Sequence, residues 1–433
     1  MASVDIAELI AGRPMGRLQV RIVVLCAFIA LLDGFDLQVI GLAAPAIAQL
    51  LKIPPADMGA VFSAALAGLT LGALLLGPLA DRIGRKRVLI ASALCFGLFT
   101  LATPLAATYR QLLAARFLTG LGLGGAVPCC IALATEFTPP QRRAAAVAYL
   151  WAGFPLGGVI GGLLGSWLIP TLGWQWLFWI GGSVPLLTAA LLVALLPESP
   201  GYLVVCGAPA ARIAALLRTV CGIETPAGTQ FTAGEATVRS GNVAQLFGHG
   251  RALATLLLWA SFFVVYMQLV TNSAWSPILL SHAGVPVPRS ALAMAAFNFG
   301  SVIGTASAGA LLTRVGGAIV LPVALLGTMI AYGLVGHAAP DVGLIIALEG
   351  FVGLFLGCAS SALIALSALT YPTQIRSTGI GWALGMGRLG SFTGPLLVGA
   401  LLAREWSIAS IFVAIAAPAV IAAVTAGAIP RPR

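Results

Sequence analysis

The chain reads as an all-α integral membrane protein, with twelve transmembrane helices in two six-helix pseudo-symmetric bundles, and three observations predict this. Hydrophobic residues make up 60% of the 433 and charged residues only 8%, at a mean hydropathy of +1.03, whereas a soluble domain carries about 25% charged residues. Apolar stretches of about 20 residues, the length that crosses a bilayer as a helix, recur along nearly the whole chain. The second half also repeats the first.

Hydropathy places the twelve spans at roughly 20–48, 57–80, 87–107, 112–136, 144–169, 173–196, 252–280, 290–312, 317–337, 342–369, 377–402 and 405–428. The formal net charge of +10 does not point to nucleic acid, because of where it lies. With the amino terminus in the cytoplasm, 17 of the 23 Lys and Arg fall on that side, and only Lys52, Arg110, Arg289 and Arg404 fall outside. This is the positive-inside pattern, with both termini cytoplasmic. Two arginines remain, Arg116 and Arg388, both within spans.

Asp5 and Glu8 precede a basic stretch that leads straight into the first span, so the start has no cleavable-signal pattern. The seven cysteines form no C-x-x-C pair and are read as small buried hydrophobes with no disulfide or metal role. His249, His282 and His337 all map to loops, which argues against a buried imidazole relay.

One long polar connection, about 55 residues from Pro197 to Arg251, divides the chain into a first bundle (1–196), a cytoplasmic linker (197–251) and a second bundle (252–433). The segment GPLADRIGRKR after span 2 aligns with GALLTRVGGAI after span 8, matching Gly77, Arg82 and Gly84 to Gly309, Arg314 and Gly316. TPPQRRAAA before span 5 likewise matches YPTQIRSTG before span 11, with Arg143 opposite Arg376. The offsets, 232 and 233 residues, agree between the two places. A duplicated six-helix unit is the architecture of secondary transporters with a midplane site.

These residues resemble the major facilitator superfamily over essentially the whole chain: GPLADRIGRKRVL is similar to its signature between helices 2 and 3, and LPESPGYL to the motif after helix 6. LLDGFDLQVIGLAAPAIA, RFLTGLGLGGAVPCCIALATEFTPPQRR and YPTQIRSTGIGWALGMGRLGSFTGP resemble the aromatic acid:proton symporter branch. The chain departs from that branch at Cys129, where Asn is usual, and at NSAWSPILL in span 7, where N-W-L-P is usual. The resemblance implies bacterial inner-membrane import of an aromatic monocarboxylate with protons, by a monomer that needs no cofactor beyond the proton gradient. No phosphate loop, His–Cys metal spacing or nucleotide-binding motif suggests an enzyme. A proton-driven exporter of drugs or metabolites, and a receptor that binds without flux, are the alternatives.

Asp33 and Asp36 sit three residues apart on one helical face, roughly 20 to 25 Å from the start of span 1. Each carboxylate costs about 2.5 to 3.5 kcal/mol at a helix centre. Desolvation and mutual repulsion disfavour two charges there, so the pair is a candidate proton carrier; the other reading is a polar clamp between helices. Arg388, near the middle of span 11 among Gly385, Gly387, Gly390 and Gly394, offers a planar fork for a carboxylate. Its other reading is an ion pair with Glu349 of span 10, and Glu349 is also open to a second proton role. Arg116 either pairs with Asp36 or Asp33 or snorkels to the headgroups. Phe35 and Trp382 are candidate ring-stacking residues, although such side chains in bundles more often pack. Glu136, near Arg142 and Arg143, is either part of a cytoplasmic gate or an interfacial charge. Gly77 is expected to allow a tight helix approach, and Asp81 to cap or counter a helix end. Arg82, Arg85 and Lys86 are expected to hold the loop to the membrane face. By resemblance this segment, with Gly84, Arg143 and Arg376, forms a latch.

Overall fold

The computed structural model describes all residues except 1, 2, 12–14, 223–228, 233–242, 249–250, 372–374 and 428–433. His249, Pro372 and Gln374, used in the reading above, therefore lie outside the described residues. The spans appear as α1 (Arg17–Leu51), α2 (Met58–Ile83), α3 (Arg85–Ala102), α4 (Tyr109–Glu136), α5 (Arg143–Thr171), α6 (Gln175–Leu195), α7 (Ala252–His282), α8 (Val287–Val315), α9 (Gly317–Val335), α10 (Val342–Thr370), α11 (Arg376–Ala403) and α12 (Ile408–Ala416, continuing as Pro418–Gly427). Among the described residues ten are long and apolar enough to cross a membrane, and the ninth and twelfth spans are represented by shorter apolar helices, Ile319–Val335 and Ile408–Val420.

Local chemistry sets several boundaries. Thr108 and Asp341 accept from Gln111 N and Leu344 N and so cap α4 and α10. Gly84 (φ 105°) and Gly316 (φ 85°) turn the chain between α2 and α3 and between α8 and α9, conformations that a Cβ would strain. Pro418 interrupts α12, and Gln268 Nε2 donates to the carbonyl of Ile415 at that break (2.8 Å).

Packing repeats between the halves, with the offsets expected from the sequence. In the first bundle α2 meets α4 through Gly68, Gly72, Gly120 and Gly124, each against backbone of the facing helix. In the second, α8 meets α10 through Gly300, Gly304, Gly353 and Gly357, the same positions displaced by 232 or 233. Gly157 and Gly161 of α5 lie against α1, and Gly390 and Gly394 of α11 lie against α7, again displaced by 233. Small residues where backbones nearly touch are the usual basis of helix association in lipid.

The bundles meet along a seam of α1 with α7, α2 with α11, and α5 with α8. Its contacts lie in the halves of these helices away from the basic loops: Gly41 on Ser273 and Ala274, Gly59 on Pro395, and Gly162 on Ala291 and Ala295. Ser63 Oγ donates to Phe392 O (3.0 Å), and Asn298 Nδ2 donates to Gln38 Oε1 (2.8 Å). Toward the basic loops, a side chain at Gly77, Gly309, Gly381 or Gly385 would meet nothing within 4 Å. The tight approach expected at Gly77 is therefore absent in this conformation, because the bundles diverge on that side.

The linker holds more order than its polar composition suggests. Helices Pro200–Val205 and Ala210–Cys221 follow α6, and Gln230–Thr232 pairs in parallel with Ser3–Asp5. Ile6 and Ile10 bury themselves against Leu203, Ile213 and Leu217. His282 closes α7, where a loop was expected.

Candidate functional site

The two aspartates of α1 have different surroundings. Asp36 (4% exposed) receives both terminal nitrogens of Arg116 (1% exposed) from α4: Nη1 donates to Oδ1 at 3.1 Å and Nη2 to Oδ2. Thr100 of α3 also donates to Oδ1 (3.4 Å). This bidentate pair rules out Arg116 as a snorkelling residue and makes Asp36 the clamp. Breaking such a pair typically costs about 3 to 5 kcal/mol. Asp33, 8% exposed, has no hydrogen-bond or ion-pair partner among the described residues.

Arg388, half-buried on α11, is the cation whose field reaches Asp33. No direct ion pair joins the two, so the opposed charges come from different bundles and lie near one another without touching. The phenol of Tyr266, on α7, also lies within reach of Arg388. The glycines flanking Arg388 divide by role. Gly387, Gly390 and Gly394 admit Tyr266, Phe263 and Met267 of α7, while Gly385 faces open space. Arg388 lies one helical turn from Phe392, on the side of the seam toward the basic loops.

Glu349 is not the partner of Arg388. It is fully buried (0% exposed) and accepts from Asn272 Nδ2 (2.8 Å) and Ser276 Oγ (2.6 Å), both on α7. In this conformation α10 turns it toward α7 behind the seam. The ring of Phe35 packs inside the first bundle, beside Gly161 and Gly181. Trp382 stacks on Trp259 (5.7 Å, 18°), which in turn meets Phe247 edge-on (5.5 Å). Among the described residues no ring contact or hydrogen bond joins Trp382 to Asp33 or Arg388.

Most of the residues expected to form a latch gather at the basic end of the first bundle. Arg85 binds Asp81 (3.0 Å) and Glu136 (2.8 Å) and donates to Ser199 (2.6 Å). Ser199 Oγ donates to Glu136, and the backbone of Lys86 donates to Glu198 (3.0 Å). Lys86 Nζ reaches Val193 O (2.9 Å), the carbonyl of Arg82 accepts from Tyr202 (3.4 Å), and Gly84 leaves room for the Glu198 carboxylate. Arg143 donates to Thr138 O (3.3 Å). The Arg376 side chain lies outside the described residues. Among the described residues none of these groups bonds to the second bundle.

Sequence reasoning named none of Glu198, Ser199, Thr100, Asn272, Ser276 or the Gln38–Asn298 pair as site residues. Glu198 and Ser199 stood in the LPESPGYL motif; the others are neutral polar residues in apolar helices, which charge-based reading passes over.

Comparison with known proteins identifies the family. The chain matches the Major Facilitator Superfamily over residues 26–269 and 252–433, and it belongs to that family. It is 37% identical to the 4-hydroxybenzoate transporter PcaK of Pseudomonas aeruginosa, over 96% of this chain and 94% of that one. It is 36% identical to a gallate transporter of Pseudomonas putida (98% and 94% covered) and 39% identical to the 3-(3-hydroxy-phenyl)propionate transporter of Escherichia coli K12 (88% and 86% covered). In fold it is similar to a D-xylose-proton symporter, at TM-score 0.76 and 17% identity, covering 95% of this chain and 97% of that one. The protein is thus a multi-pass membrane protein with the twelve-helix, two-bundle fold of this superfamily.

Proposed function

We propose that the chain is a proton-coupled carrier that imports an aromatic monocarboxylate by alternating access across a bacterial inner membrane. It works as a monomer without a cofactor, divided into bundles 1–196 and 252–433 by the linker 197–251. The names of its relatives support the cargo class. The charge pattern supports placing the basic loops and both termini in the cytoplasm. On that placement the closed seam faces outward and the protein stands open to the cytoplasm.

The observation that carries the reading is the unpartnered Asp33 of one bundle opposite Arg388 of the other. While Asp33 is ionised it competes with any carboxylate for Arg388. Protonating Asp33 releases the guanidinium, whose two parallel N–H groups then hold the cargo. Proton and anion therefore bind together, and neither charge is left uncompensated when the site closes. On the cytoplasmic side the proton leaves, Asp33 reclaims Arg388, and the cargo is displaced. The empty carrier returns with the two charges opposed.

The test is uptake of labelled benzoate, hydroxybenzoates, protocatechuate and hydroxyphenylpropionates into proteoliposomes, with and without an inward proton gradient. Saturable accumulation that a protonophore collapses is expected. No gradient-dependent uptake by folded protein would turn the reading toward an exporter. Asp33→Asn should abolish accumulation while preserving exchange of labelled for unlabelled cargo; an unchanged accumulation ratio would remove Asp33 as the coupling acid.

A further inference from the structure

The offset that relates the bundles places Gln268, Tyr332 and Glu349 at the positions of Asp36, Thr100 and Arg116. The first-bundle cluster is internally neutral, an acid held by an arginine. Its counterpart holds an acid and, among the described residues, no cation. Glu349 accepts from two neutral donors, and Tyr332 donates instead to Gln268 O (3.1 Å).

Among the described residues the helices packed on α10 supply no compensating charge. From α7 it meets Asn272 and Ser276, and from α9 the titratable group is Tyr332. Charges on α8 lie toward its ends, at Arg289 and Arg314; α11 carries Arg376 at its start and Arg388, whose field acts on Asp33 and Tyr266. The cluster also has surplus acceptors: Asn272 Oδ1 and Gln268 Oε1 are buried without a hydrogen-bond donor. A proton on Glu349 would convert one acceptor into a donor. Half a turn of the Asn272 amide would then present Oδ1 to the carboxyl O–H.

The place of the cluster suggests what that proton does. Asn272 and Ser276 bracket Ser273 and Ala274, the residues on which Gly41 seats when the seam is closed. Glu349 lies directly behind this contact, sealed from both sides while the seam is shut.

We propose that Glu349 is a second proton site, reached from the outer water when the seam opens, and that closure of the seam requires it to be protonated. The proton enters and leaves on the outer side, so the site sets how readily the carrier closes and adds nothing to the coupling at Asp33. Rising outer pH ionises Glu349, and an ionised carboxylate holds the seam open; falling pH lets it close. The assignment of this face as outer rests on the transport reading above, whereas the link between protonation and closure does not.

Labelling of a Ser273→Cys variant with a membrane-impermeant maleimide, against the background of the native cysteines, reads seam opening without any cargo. The labelling rate, divided by that of a cysteine placed at an exposed loop position to remove the thiol's own ionisation, should rise with outer pH, by up to about tenfold per pH unit. Adding Glu349→Gln, or Glu349→Met should the amide fail to insert, should make it independent of pH. A pH-independent parent, or a Gln variant whose profile superimposes on the parent, would overturn the proposal. Where aromatic-acid uptake is established, Glu349→Gln should keep gradient-driven accumulation. Its loss with exchange intact would make Glu349 a coupling acid and overturn the gating role. If no aromatic acid is transported, the functional reading fails while the labelling result stands.

Discussion

In the first bundle Arg116 reaches across from α4 to hold Asp36, and in the second the equivalent position carries Glu349, which reaches across to Asn272 and Ser276. Around both clusters the glycines that seat α2 on α4 and α8 on α10 are kept at matching positions. The difference separates two kinds of constraint. A glycine pressed against a facing backbone has no substitute, because any side chain overlaps the neighbouring helix. A side chain that meets only other side chains is free to change sign, provided the cluster remains neutral as a whole. The duplicated fold thus keeps its packing symmetric while its charges diverge. That divergence places Asp33 and Arg388 on opposite walls.

The largest effect expected from breaking this comparison is on stability. Arg116→Leu leaves Asp36 buried and unpaired and should cost about 3 to 5 kcal/mol, whereas Glu349→Gln keeps its neutral partners and should stay within about 1 kcal/mol. Thermal unfolding of detergent-solubilised protein would show this, and equal losses would erase the proposed asymmetry. The packing half of the comparison is sharpened by Gly157→Val and Gly390→Val, equivalent positions against Leu31 and Phe263 backbone. Each should cost about 1 to 3 kcal/mol, and by similar amounts.

A smaller effect is expected on cargo affinity. Arg388→Lys keeps the charge but loses the planar fork, and a KM for aromatic acid raised about tenfold corresponds to 1.4 kcal/mol. An unchanged KM and rate would show that the carboxylate binds elsewhere. The smallest concerns the seam. Gln38→Leu removes the bond from Asn298, worth about 1 kcal/mol, and should speed maleimide labelling at the seam by roughly fivefold.

Hydropathy and charge placement made the twelve spans legible, with boundaries that mostly moved by three residues or fewer, because burial in lipid is a property of single segments. The residues Asp33, Asp36, Arg116, Glu349 and Arg388 were legible as sites because charges are rare in such helices. Their pairings were not. Asp36 and Asp33 share a face of one helix, yet only the position of α4 decided which of them Arg116 holds. For Glu349 an ion pair with Arg388 and a proton role both stay open in the sequence, and the rotation of α10 aims it at α7. Phe35 and Trp382 carry apolar rings that fit a substrate or a core equally well, and packing put both against other parts of the protein.

What the sequence by itself determined is the solvent, the number of spans, the internal repeat and the short roster of buried charges, all written in composition and spacing along one chain. The tertiary structure decided which charge is compensated, which remains open, and on which side the bundles are sealed. Those outcomes depend on which residues of separate helices come within hydrogen-bonding reach of one another, and helix orientation fixes that, whatever their spacing in the chain.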